Sequence, residues 1–580
     1  MDSALRSITL INPSTALDAS NKILYLRPHH ALSQVSLISG GGAGHEPSFT
    51  AFVGHGLLSA AVSGTIFASP STEQIHTAIM SRVDREQGVL AIVLNYTGDV
   101  MNFGSAVEKA RAAGVKVEMV VVGDDVGVGR AKAGKVGRRG IAGTVLVLKI
   151  AGALAASGAS LQDIHSVAKL TAENIVSVAA SLDHVHVPGR ALPDPKSKEA
   201  LATEEVEIGM GIHNESGSER AVACLPEMVK VMLKQLLDWE DKDRAFLRVD
   251  SNEVVLLVNN LGGVSVLEMG GITTEVVTQL EIHYNIKPVR ILSGTYMTSL
   301  NGLGFSISLL NTVNTNLGGL SMLQLLDAPS EVTGWHAPIR KETWEEKSNQ
   351  TRDDPVKSPE HIKASGLKMD PKMSEAALKS ALERVIAAEP DITRYDTIVG
   401  DGDCGIGLKR GAEAIMRMLT ETGFSGDIVV DISRVVAVVE RSMDGTSGAL
   451  YTIFLNSLVH ELRRESSAVE TTPRVWATAL RQALRALSRY TPAQPGDRTL
   501  IDALNPFVET LDKTGNIMKA AEASRIAAER TKGMKASLGR AVYVGGTSYK
   551  QVPDPGAWGL SEFFLGLASV EVAESNHEVI

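Results

Sequence analysis

The chain has 580 residues, of which 44% are hydrophobic and 21% charged, so it is too long for one core and about two to four domains are expected. A net charge of −10 and an aromatic content of 4% argue against a nucleic-acid partner, which would need a basic face and stacking platforms. With no signal peptide, no long apolar run and only two, widely separated cysteines, the sequence predicts a cytoplasmic protein without a membrane partner.

In the first half of the chain, short apolar runs alternate with helical patterns. These runs cover residues 35–38, 89–93, 117–122, 205–212, 253–258 and 289–292, and each ends in a polar or glycine-rich stretch. Such alternation predicts α/β sheets, and a helical stretch over residues 140–181 divides the runs into two lobes. In open α/β sheets ligands bind at the carboxyl ends of strands, where the glycine-rich stretches lie.

Between Asp327 and Met373 prolines and charges dominate, which is typical of a linker. Beyond it, helix-type spacing recurs over residues 374–388, 407–421, 428–442, 448–463, 474–488, 500–513 and 515–532, and a last helix follows Pro555 and Gly556. We therefore predict a multi-domain protein: a two-lobed α/β domain over residues 1–335, a linker over 336–372, and an all-helical bundle or barrel over 373–580.

Two glycine-rich motifs fail as nucleotide fingerprints. The stretch 40–47 does not meet G-x-G-x-x-G spacing, because Glu46 and Pro47 stand where a third glycine is needed, although it presents His45 at a strand end. The stretch 129–136 resembles a P-loop, but Val136 lacks the hydroxyl that Mg²⁺ requires. A nucleotide site must therefore come from elsewhere in the chain.

Asp99 and His213 are candidates for chemistry. Asp99 follows a buried strand, where it could act as a base on a ligand hydroxyl or, equally, cap a helix starting near Asn102. His213 follows a strand among small residues. A lone histidine more often serves as a hydrogen-bonding residue, but the glycine-rich approach and polar neighbours favour a functional role.

The most informative stretch is the acidic loop 396–405. Asp396, Asp401 and Asp403 are close enough to repel one another, so the loop is either a solvated turn or a site for Mg²⁺ or Ca²⁺. Helices that open at Gly405 and at 444–451 offer free amides, with the hydroxyls of Thr446 and Ser447, for phosphate, unless they are plain N-caps. Together these features predict a pocket for a magnesium-bound phosphate.

These motifs, in this order, resemble the ATP-dependent dihydroxyacetone (glycerone) kinases that join two modules in one polypeptide. The stretches ISGGGAGHEPSFTAFVGHG, LNYTGDVMNFGSAVEKARAAGV and GMGIHNESG are similar to the substrate module of that family. VGDGDCGIGLKRGAEAI, MDGTSGALY, PGDRTLIDAL and PDPGAWG are similar to its nucleotide module. The resemblance covers nearly the whole chain apart from the linker.

The resemblance implies that a small keto-sugar is the substrate. It implies that His213 bonds covalently to the ketone as a hemiaminal, that His45 assists, and that Asp99 is the base on the reacting hydroxyl. A carbonyl distinguishes such a substrate from glycerol. The implied substrate-binding residues are Gly42, Ala43, Gly44, His45, Leu94 and Asp99.

The resemblance also implies ATP and Mg²⁺ as cofactors. Asp396, Asp401 and Asp403 would hold the Mg²⁺ ions that chelate the ATP phosphates. The implied nucleotide-binding residues are Asp403, Cys404, Gly405, Ile406, Thr446, Ser447, Arg498, Thr499, Asp554, Pro555 and Gly556. Because the two sites lie on separate domains, phosphate must cross a domain interface, and a homodimer with sites formed between subunits is expected.

The chain departs from the family pattern at several positions that are usually polar or basic. Leu94 and His55 stand where lysine is common, and Ala43 stands where serine is common. Ser216 replaces proline, Asp444 replaces glycine, and Ile406-Gly407 replace two threonines. Fewer polar groups at the substrate imply altered or weaker substrate choice, with dihydroxyacetone as the default.

Two other functions are compatible with the residues. Some family members split FAD into riboflavin cyclic phosphate and AMP at the nucleotide module, with Mn²⁺ favoured, and both reactions use the aspartates. A non-catalytic ligand sensor is the third hypothesis. The intact His213, Asp99 and aspartates argue against a sensor, whereas Leu94 argues slightly for it.

Overall fold

The computed structural model describes residues 1–28, 33–189, 201–202, 204–249, 253–317, 319–346, 362–464, 470–538, 540–543 and 547–575. The chain divides into two compact units, Met1–Gln350 and Thr351–Ile580. In the described ranges, no helix has both the length and the apolar content needed to cross a membrane. The predicted linker falls partly on residues 347–361, which lie outside the described residues.

The first unit is a mixed α/β structure. Its strands are β1 (Thr15–Asp18), β2 (Ile23–Leu26), β3 (Ser36–Ala43), β4 (Ala60–Ile66), β5 (Val89–Leu94), β6 (Val117–Val122), β7 (Ile175–Ser181), β8 (Glu205–Ile208), β9 (Glu219–Val222), β10 (Val254–Asn260), β11 (Arg290–Gly294) and β12 (Gly304–Asn311). Its helices are α1 (Asp2–Ile11), α2 (Thr72–Ser81), α3 (Thr97–Ala112), α4 (Arg130–Ala133), α5 (Thr144–Ala156), α6 (Leu161–Glu173), α7 (Leu225–Leu237), α8 (Val266–Tyr284), α9 (Met322–Asp327) and α10 (Lys341–Glu346).

The first sheet has the strand order β1-β2-β4-β3-β5-β6. Strands β4, β3, β5 and β6 run parallel, whereas β1 and β2 are antiparallel additions at one edge. Every residue of β5 is buried, as expected for a parallel strand covered on both faces. The carboxyl ends of β3 and β5 are adjacent, which brings the glycine-rich loop close to the start of α3.

The second sheet has the order β11-β10-β12-β7-β8-β9, and only β10 and β11 are parallel. The prediction of a helical stretch reaching residue 181 is wrong at its end, because α6 stops at Glu173 and β7 follows. Strand β7, with the sequence IVSVAAS, is fully buried in the sheet. Because its residues are small, the strand has a weak sequence signal, but antiparallel pairing with β12 stabilises it.

Helix α5 forms the core between the two sheets. Its residues from Thr144 to Ala155 are all buried, in one apolar cluster with Leu90 of the first sheet and Leu257 of the second. One of its residues, Lys149, is fully buried, and Nζ donates to the carbonyls of Leu325 (3.1 Å) and Ala328 (2.8 Å). Burial lowers the pKa of Lys149 to about 8, although nearby Asp327 favours the charged form.

The second unit is helical, as predicted. Its helices are α11 (Pro371–Val399), α12 (Cys404–Thr422), α13 (Ile428–Ser442), α14 (Gly445–Arg464), α15 (Pro473–Leu487), α16 (Ile501–Thr514), α17 (Ile517–Arg530) and α18 (Pro555–Ser575). Each helix packs against the next one along the chain, and α18 packs against both α17 and α11. The starts of α12, α14, α16 and α18 lie close together, because Cys404 is near Ser447 and Asp554, and Asp554 is near Arg498 and Asp502. All of the predicted nucleotide residues therefore lie at one end of this unit.

Candidate active site

His45 lies in the loop after β3, and its imidazole is 1% exposed. Its Nδ1 is 2.8 Å from the carbonyl oxygen of Thr298, and its Nε2 is 3.0 Å from Nε2 of His213. The ring also stacks on Phe67, with centroids 5.2 Å apart. Burial, followed by the charge of His213, lowers the pKa of His45 to about 3. The two histidines, 168 residues apart in sequence, form what we call the histidine pair.

The hydrogen-bond partners of the histidine pair place a proton on Nδ1 of each ring. The carbonyl of Thr298 can only accept, so Nδ1 of His45 carries a proton. Nδ1 of His213 is 3.0 Å from Oε1 of Glu215, a carboxylate that also can only accept, so this nitrogen carries a proton too. With Nδ1 protonated on both rings, the contact between the two Nε2 atoms is a hydrogen bond when the pair carries one further proton and so a positive charge. The pair is thus arranged to transfer a proton at Nε2.

Aromatic rings enclose the imidazole of His213. The ring of Tyr96 lies 4.7 Å from it at an interplanar angle of 90°, and that of Phe67 lies 5.2 Å from it at 88°. The side chain of His213 retains 20% exposure. A substrate that reaches its Nε2 must therefore be small.

Asp99 lies in the first turn of α3 and is 4% exposed. The alternative role as an N-cap is wrong, because the helix begins at Thr97 and Tyr96 occupies the N-cap position. Burial raises the pKa of Asp99, opposed by a hydrogen bond from Ser69 and by the charge of His213. Its Oδ1 is buried without a hydrogen-bond partner, which leaves one acceptor for a ligand hydroxyl.

The glycines of the loop are required by close packing against the segment 67–68. A Cβ at Gly42 would lie 2.6 Å from the main-chain nitrogen of Ala68, and one at Gly44 would lie 2.8 Å from the ring of Phe67. Gly44 also has a φ of +105°. A narrow cleft adjoins this loop; it is lined by Gly41, Gly42, Glu46, Ser48, Phe49, Thr50, Val62 and Ser63.

Two predicted substrate residues are packed into the protein. Leu94 is 2% exposed and belongs to the apolar core, where its Cδ2 lies 2.7 Å from the position of a Cβ on Gly140. Ala43 is 4% exposed and pairs with Ile66 in the sheet. Sequence reasoning missed Glu215, Tyr96 and Phe67. Of these, Glu215 carried a signal, since a carboxylate two residues after a candidate histidine is a natural partner for it.

In the second unit, the three predicted metal ligands come together and form what we call the aspartate cluster. One carboxylate oxygen from each of Asp396, Asp401 and Asp403 lies within 4.8 Å of the others. Asp396 lies in the last turn of α11 and is 7% exposed, and its Oδ2 accepts a hydrogen bond from the main-chain nitrogen of Cys404 at 3.0 Å. The other two aspartates are exposed. Three convergent carboxylates suit a hard divalent cation such as Mg²⁺.

Cys404 and Ser447 connect the starts of α12 and α14 beside the aspartate cluster. Burial and the charges of Asp396 and Asp554 raise the pKa of the Cys404 thiol to about 12, opposed by a hydrogen bond with Ser447. Gly405 allows α12 to approach α11, since a Cβ there would lie 2.3 Å from Oγ1 of Thr393. Thr446 and Ile406 are exposed at the same helix starts, as a phosphate site requires.

Arg498 is 1% exposed and joins two of the predicted nucleotide stretches. Its Nη2 donates to the carbonyls of Val552 (3.0 Å) and Tyr549 (3.3 Å), which precede Asp554-Pro555-Gly556. Nε and Nη1 of Arg498 are buried without a partner. Buried donors without acceptors indicate that this corner can bind an anion.

Neighbouring residues hold these two stretches in place. Asp554 caps α18 through the main-chain nitrogen of Ala557 at 2.8 Å, and burial raises its pKa to about 6. The main-chain nitrogen of Thr499 donates to Oδ2 of Asp502 at 2.8 Å. A cleft of about 180 Å³ that was not predicted adjoins this loop; it is lined by Leu484, Arg485, Ser488, Thr491, Ala493, Gln494, Pro495, Ile501 and Asn505.

The chain matches known proteins over nearly its whole length. The Dak1 domain matches residues 6–334 and the DAK2 domain residues 398–569. The dihydroxyacetone kinase of Pichia angusta is 42% identical over 587 residues, which cover 97% of this chain and 96% of the relative. The triokinase/FMN cyclase of Homo sapiens is 35% identical over 571 residues, which cover 96% and 95%.

Among solved structures, the dihydroxyacetone kinase from C. freundii in complex with AMP-PNP and Mg²⁺ is 30% identical. It superposes with a TM-score of 0.61, over 98% of this chain and 97% of that one. The predicted family is therefore confirmed: the chain belongs to the two-module dihydroxyacetone kinase family, with a Dak1 domain followed by a DAK2 domain.

Proposed function

We propose that the protein is an ATP-dependent kinase that phosphorylates dihydroxyacetone, and also glyceraldehyde or another short ketose, on a hydroxyl group. The observation that carries this proposal is the histidine pair beside the unpartnered carboxylate oxygen of Asp99. The names of the relatives in Pichia angusta and C. freundii support the same activity, and AMP-PNP with Mg²⁺ in the latter supports ATP and Mg²⁺ as cofactors.

Substrate capture begins with Nε2 of His213, whose proton His45 can take. The Nε2 lone pair forms a bond to the carbonyl carbon, and the carbonyl π electrons move to oxygen. That oxygen receives the proton that the histidine pair shares, so the product is a neutral hydroxyl on a hemiaminal carbon. Glycerol lacks the carbonyl and cannot form this bond, which gives ketose selectivity beyond what shape alone would provide.

Asp99 acts next as the base. A reacting hydroxyl of the held ketose donates to Oδ1 of Asp99, and its oxygen attacks the terminal phosphorus of ATP while ADP leaves. Burial raises the pKa of this carboxylate, which strengthens it as a proton acceptor. The pocket around His45 is shaped by Gly42, Ala43, Gly44 and Leu94. Of these, Leu94 contributes from the apolar core and not as a hydrogen-bonding group.

The nucleotide is held in the second unit. Asp396, Asp401 and Asp403 would hold Mg²⁺, which when bound neutralises the phosphate charge. The free amides at the starts of α12 and α14 and the spare donors of Arg498 supply hydrogen bonds to the phosphates. We assign nucleotide contact to Asp403, Cys404, Gly405, Ile406, Thr446, Ser447, Arg498, Thr499, Asp554, Pro555 and Gly556.

The domain boundaries and the assembly are part of the proposal. We assign residues 1–335 to the ketose-binding domain, 336–372 to the linker and 373–580 to the nucleotide domain, whose helices we propose to close into a barrel. The packing of α18 on α11 supports closure. We propose a cytoplasmic homodimer with sites formed between subunits, since each unit holds only half of a kinase site.

A coupled assay of ADP release tests this function. With ATP and Mg²⁺, dihydroxyacetone should drive ADP release, while glycerol at the same concentration should not. His213→Ala provides the matched control for the ketose dependence. A wild-type protein that releases no ADP with dihydroxyacetone, glyceraldehyde or erythrulose at millimolar concentration would refute the proposal.

A second activity is favoured by one observation, the name triokinase/FMN cyclase of the human relative. We propose testing a cyclising split of FAD at the helical unit by measuring AMP release with Mn²⁺. If the activity is present, Asp403→Asn should abolish it and His213→Ala should leave it unchanged, because His213 lies in the other unit. Absence of AMP release from the wild type would exclude the second activity.

A further inference from the structure

We propose that Glu215 is the positioning residue that makes His213, and not His45, the nucleophile of the histidine pair. It does so by fixing a proton on Nδ1, by orienting the ring, and by placing a negative charge behind the ring. The inference rests on the proposed function, because it explains how the histidine that captures the ketose is prepared.

Glu215 holds His213 at two points. Oε1 accepts from Nδ1 at 3.0 Å, and Oε2 accepts from the main-chain nitrogen of the same residue at 2.9 Å. One carboxylate therefore fixes the ring relative to its own backbone. The turn itself is closed by a hydrogen bond from the nitrogen of Gly211 to the carbonyl of Glu215 at 3.0 Å.

The guanidinium of Arg139, which is 13% exposed, lies near the carboxylate of Glu215. Arg139 pairs with Asp125 at 2.7 Å and donates to the carbonyl of Gly209 at 2.6 Å. A Cβ at Gly211 would lie 2.1 Å from Oε2 of Glu215 and 2.6 Å from Nη1 of Arg139, so both groups press on the same glycine. Burial opposes the ionisation of Glu215, but His213 and Arg139 outweigh it and lower its pKa to about 2. Glu215 is therefore anionic at neutral pH.

This arrangement decides which histidine attacks. Once the proton at Nε2 has moved to His45, the imidazole of His213 keeps its proton on Nδ1 and has a lone pair on Nε2, which is the nitrogen that faces the site. Once Nε2 bonds to carbon while Nδ1 keeps its proton, the ring carries a positive charge. Glu215 stabilises that charge on His213. His45 has the neutral carbonyl of Thr298 in the equivalent place, so an adduct on His45 would lack such stabilisation.

Strand β8, which precedes this loop, contains a control residue. Glu207 is buried, whereas the side chain of Glu215 is 36% exposed, and Glu207 anchors the loop by accepting from the nitrogen of Gly217 at 2.7 Å and by pairing with His184 at 2.8 Å. These contacts do not involve His213. Glu207→Gln therefore tests loop anchoring alone, whereas Glu215→Gln removes charge and Glu215→Met removes the acceptor as well.

Two measurements on the full-length protein test the inference. Adduct formation is followed by ¹³C NMR with dihydroxyacetone labelled at the carbonyl carbon, which becomes tetrahedral on His213. Relative to wild type, the ketose dissociation constant should rise about tenfold to hundredfold in Glu215→Met and less in Glu215→Gln, because a charge-assisted hydrogen bond is lost. It should stay within about threefold of wild type in Glu207→Gln, even if that variant is less stable.

The second measurement reads the tautomer directly. In ¹⁵N-histidine-labelled protein without substrate, Nδ1 of His213 should be protonated in wild type and Glu207→Gln, and a mixture of tautomers should appear in Glu215→Met. An unchanged tautomer in Glu215→Met, or equal loss of ketose affinity in the Glu207 and Glu215 variants, would overturn the inference. If wild type formed no adduct at all, the proposed capture would fail, and the tautomer would still decide the role of Glu215.

Discussion

Protein atoms enclose the histidine pair of the first unit, whereas two of the three carboxylates in the aspartate cluster of the second unit are exposed. In the first unit, each ring nitrogen of the pair already has a hydrogen-bond partner. In the second, Arg498 has spare donors, and the carboxylates repel one another. The ketose site is thus organised by side chains before substrate arrives, while the nucleotide site depends on charge that its ligands bring.

The largest expected effect comes from Asp99→Asn. It should lower kcat by about a thousandfold, because the general base is lost. It should also leave thermal stability equal or higher. The pKa of Asp99 is raised in the folded state, so the ionised carboxylate costs stability at pH values above that pKa, and the neutral amide removes this cost. Steady-state kinetics and a thermal melt at pH 7 check both results. A lower Tm with normal kcat would contradict the assignment.

Asp403→Asn should affect only the nucleotide site of the second unit. The Mg²⁺ concentration needed for half-maximal activity should rise at least about tenfold, since one of three charged ligands is lost. Ketose adduct formation should not change. Asp391→Asn is the matched control, because Asp391 is an exposed aspartate of α11 that pairs with Arg394. Equal Mg²⁺ requirements in the two variants would exclude Asp403 as a ligand.

His213→Ala should affect only the ketose site of the first unit. The KM for dihydroxyacetone should rise about tenfold or more as covalent capture is lost, and the preference for dihydroxyacetone over glycerol should fall with it. The KM for ATP should remain unchanged. Kinetics with both acceptors provide the measurement, and retained ketose preference in the variant would argue against the hemiaminal.

The smallest effect concerns Lys149. Its pKa of about 8 in the folded state lies below its unfolded value of 10.5, so between these pH values the unfolded state binds more protons. Wild-type stability should therefore gain up to about 3 kcal/mol over this range relative to Lys149→Met. Chemical denaturation of both proteins at pH 7.5 and pH 10 measures the difference. Parallel pH profiles would show that Lys149 does not titrate in this way.

The helical unit was predictable from sequence because its helices are long and amphipathic. Observed bounds such as Ile428–Ser442 agree with the periodicity to the residue. The sheets of the first unit were harder. Strands β4 and β12 were missed because their small or polar residues, as in AAVSGTI and GFSISLLN, gain stability from neighbours that are distant in sequence.

The candidate site, too, was predictable from sequence only in part. Local motifs identified His45, Asp99 and His213, and the aspartates lie within eight residues of one another. Sequence did not predict that His45 and His213 touch, or that Thr298 supports one of them, because loops from two different sheets make these contacts. The sequence also did not predict the burial of Leu94. Whether this side chain faces the core or the ligand depends on how it packs against Gly140.

Asp396 has two roles in the helical unit. It belongs to the aspartate cluster, and it accepts a hydrogen bond from the first main-chain nitrogen of α12. Asp401 and Asp403 are exposed, so their loss would change little besides the chemistry. A gene copy released from selection for catalysis would therefore shed the two exposed aspartates first and keep Asp396 longest. Among diverged descendants of this chain, the order in which the three aspartates vanish would show which were retained for catalysis and which for folding.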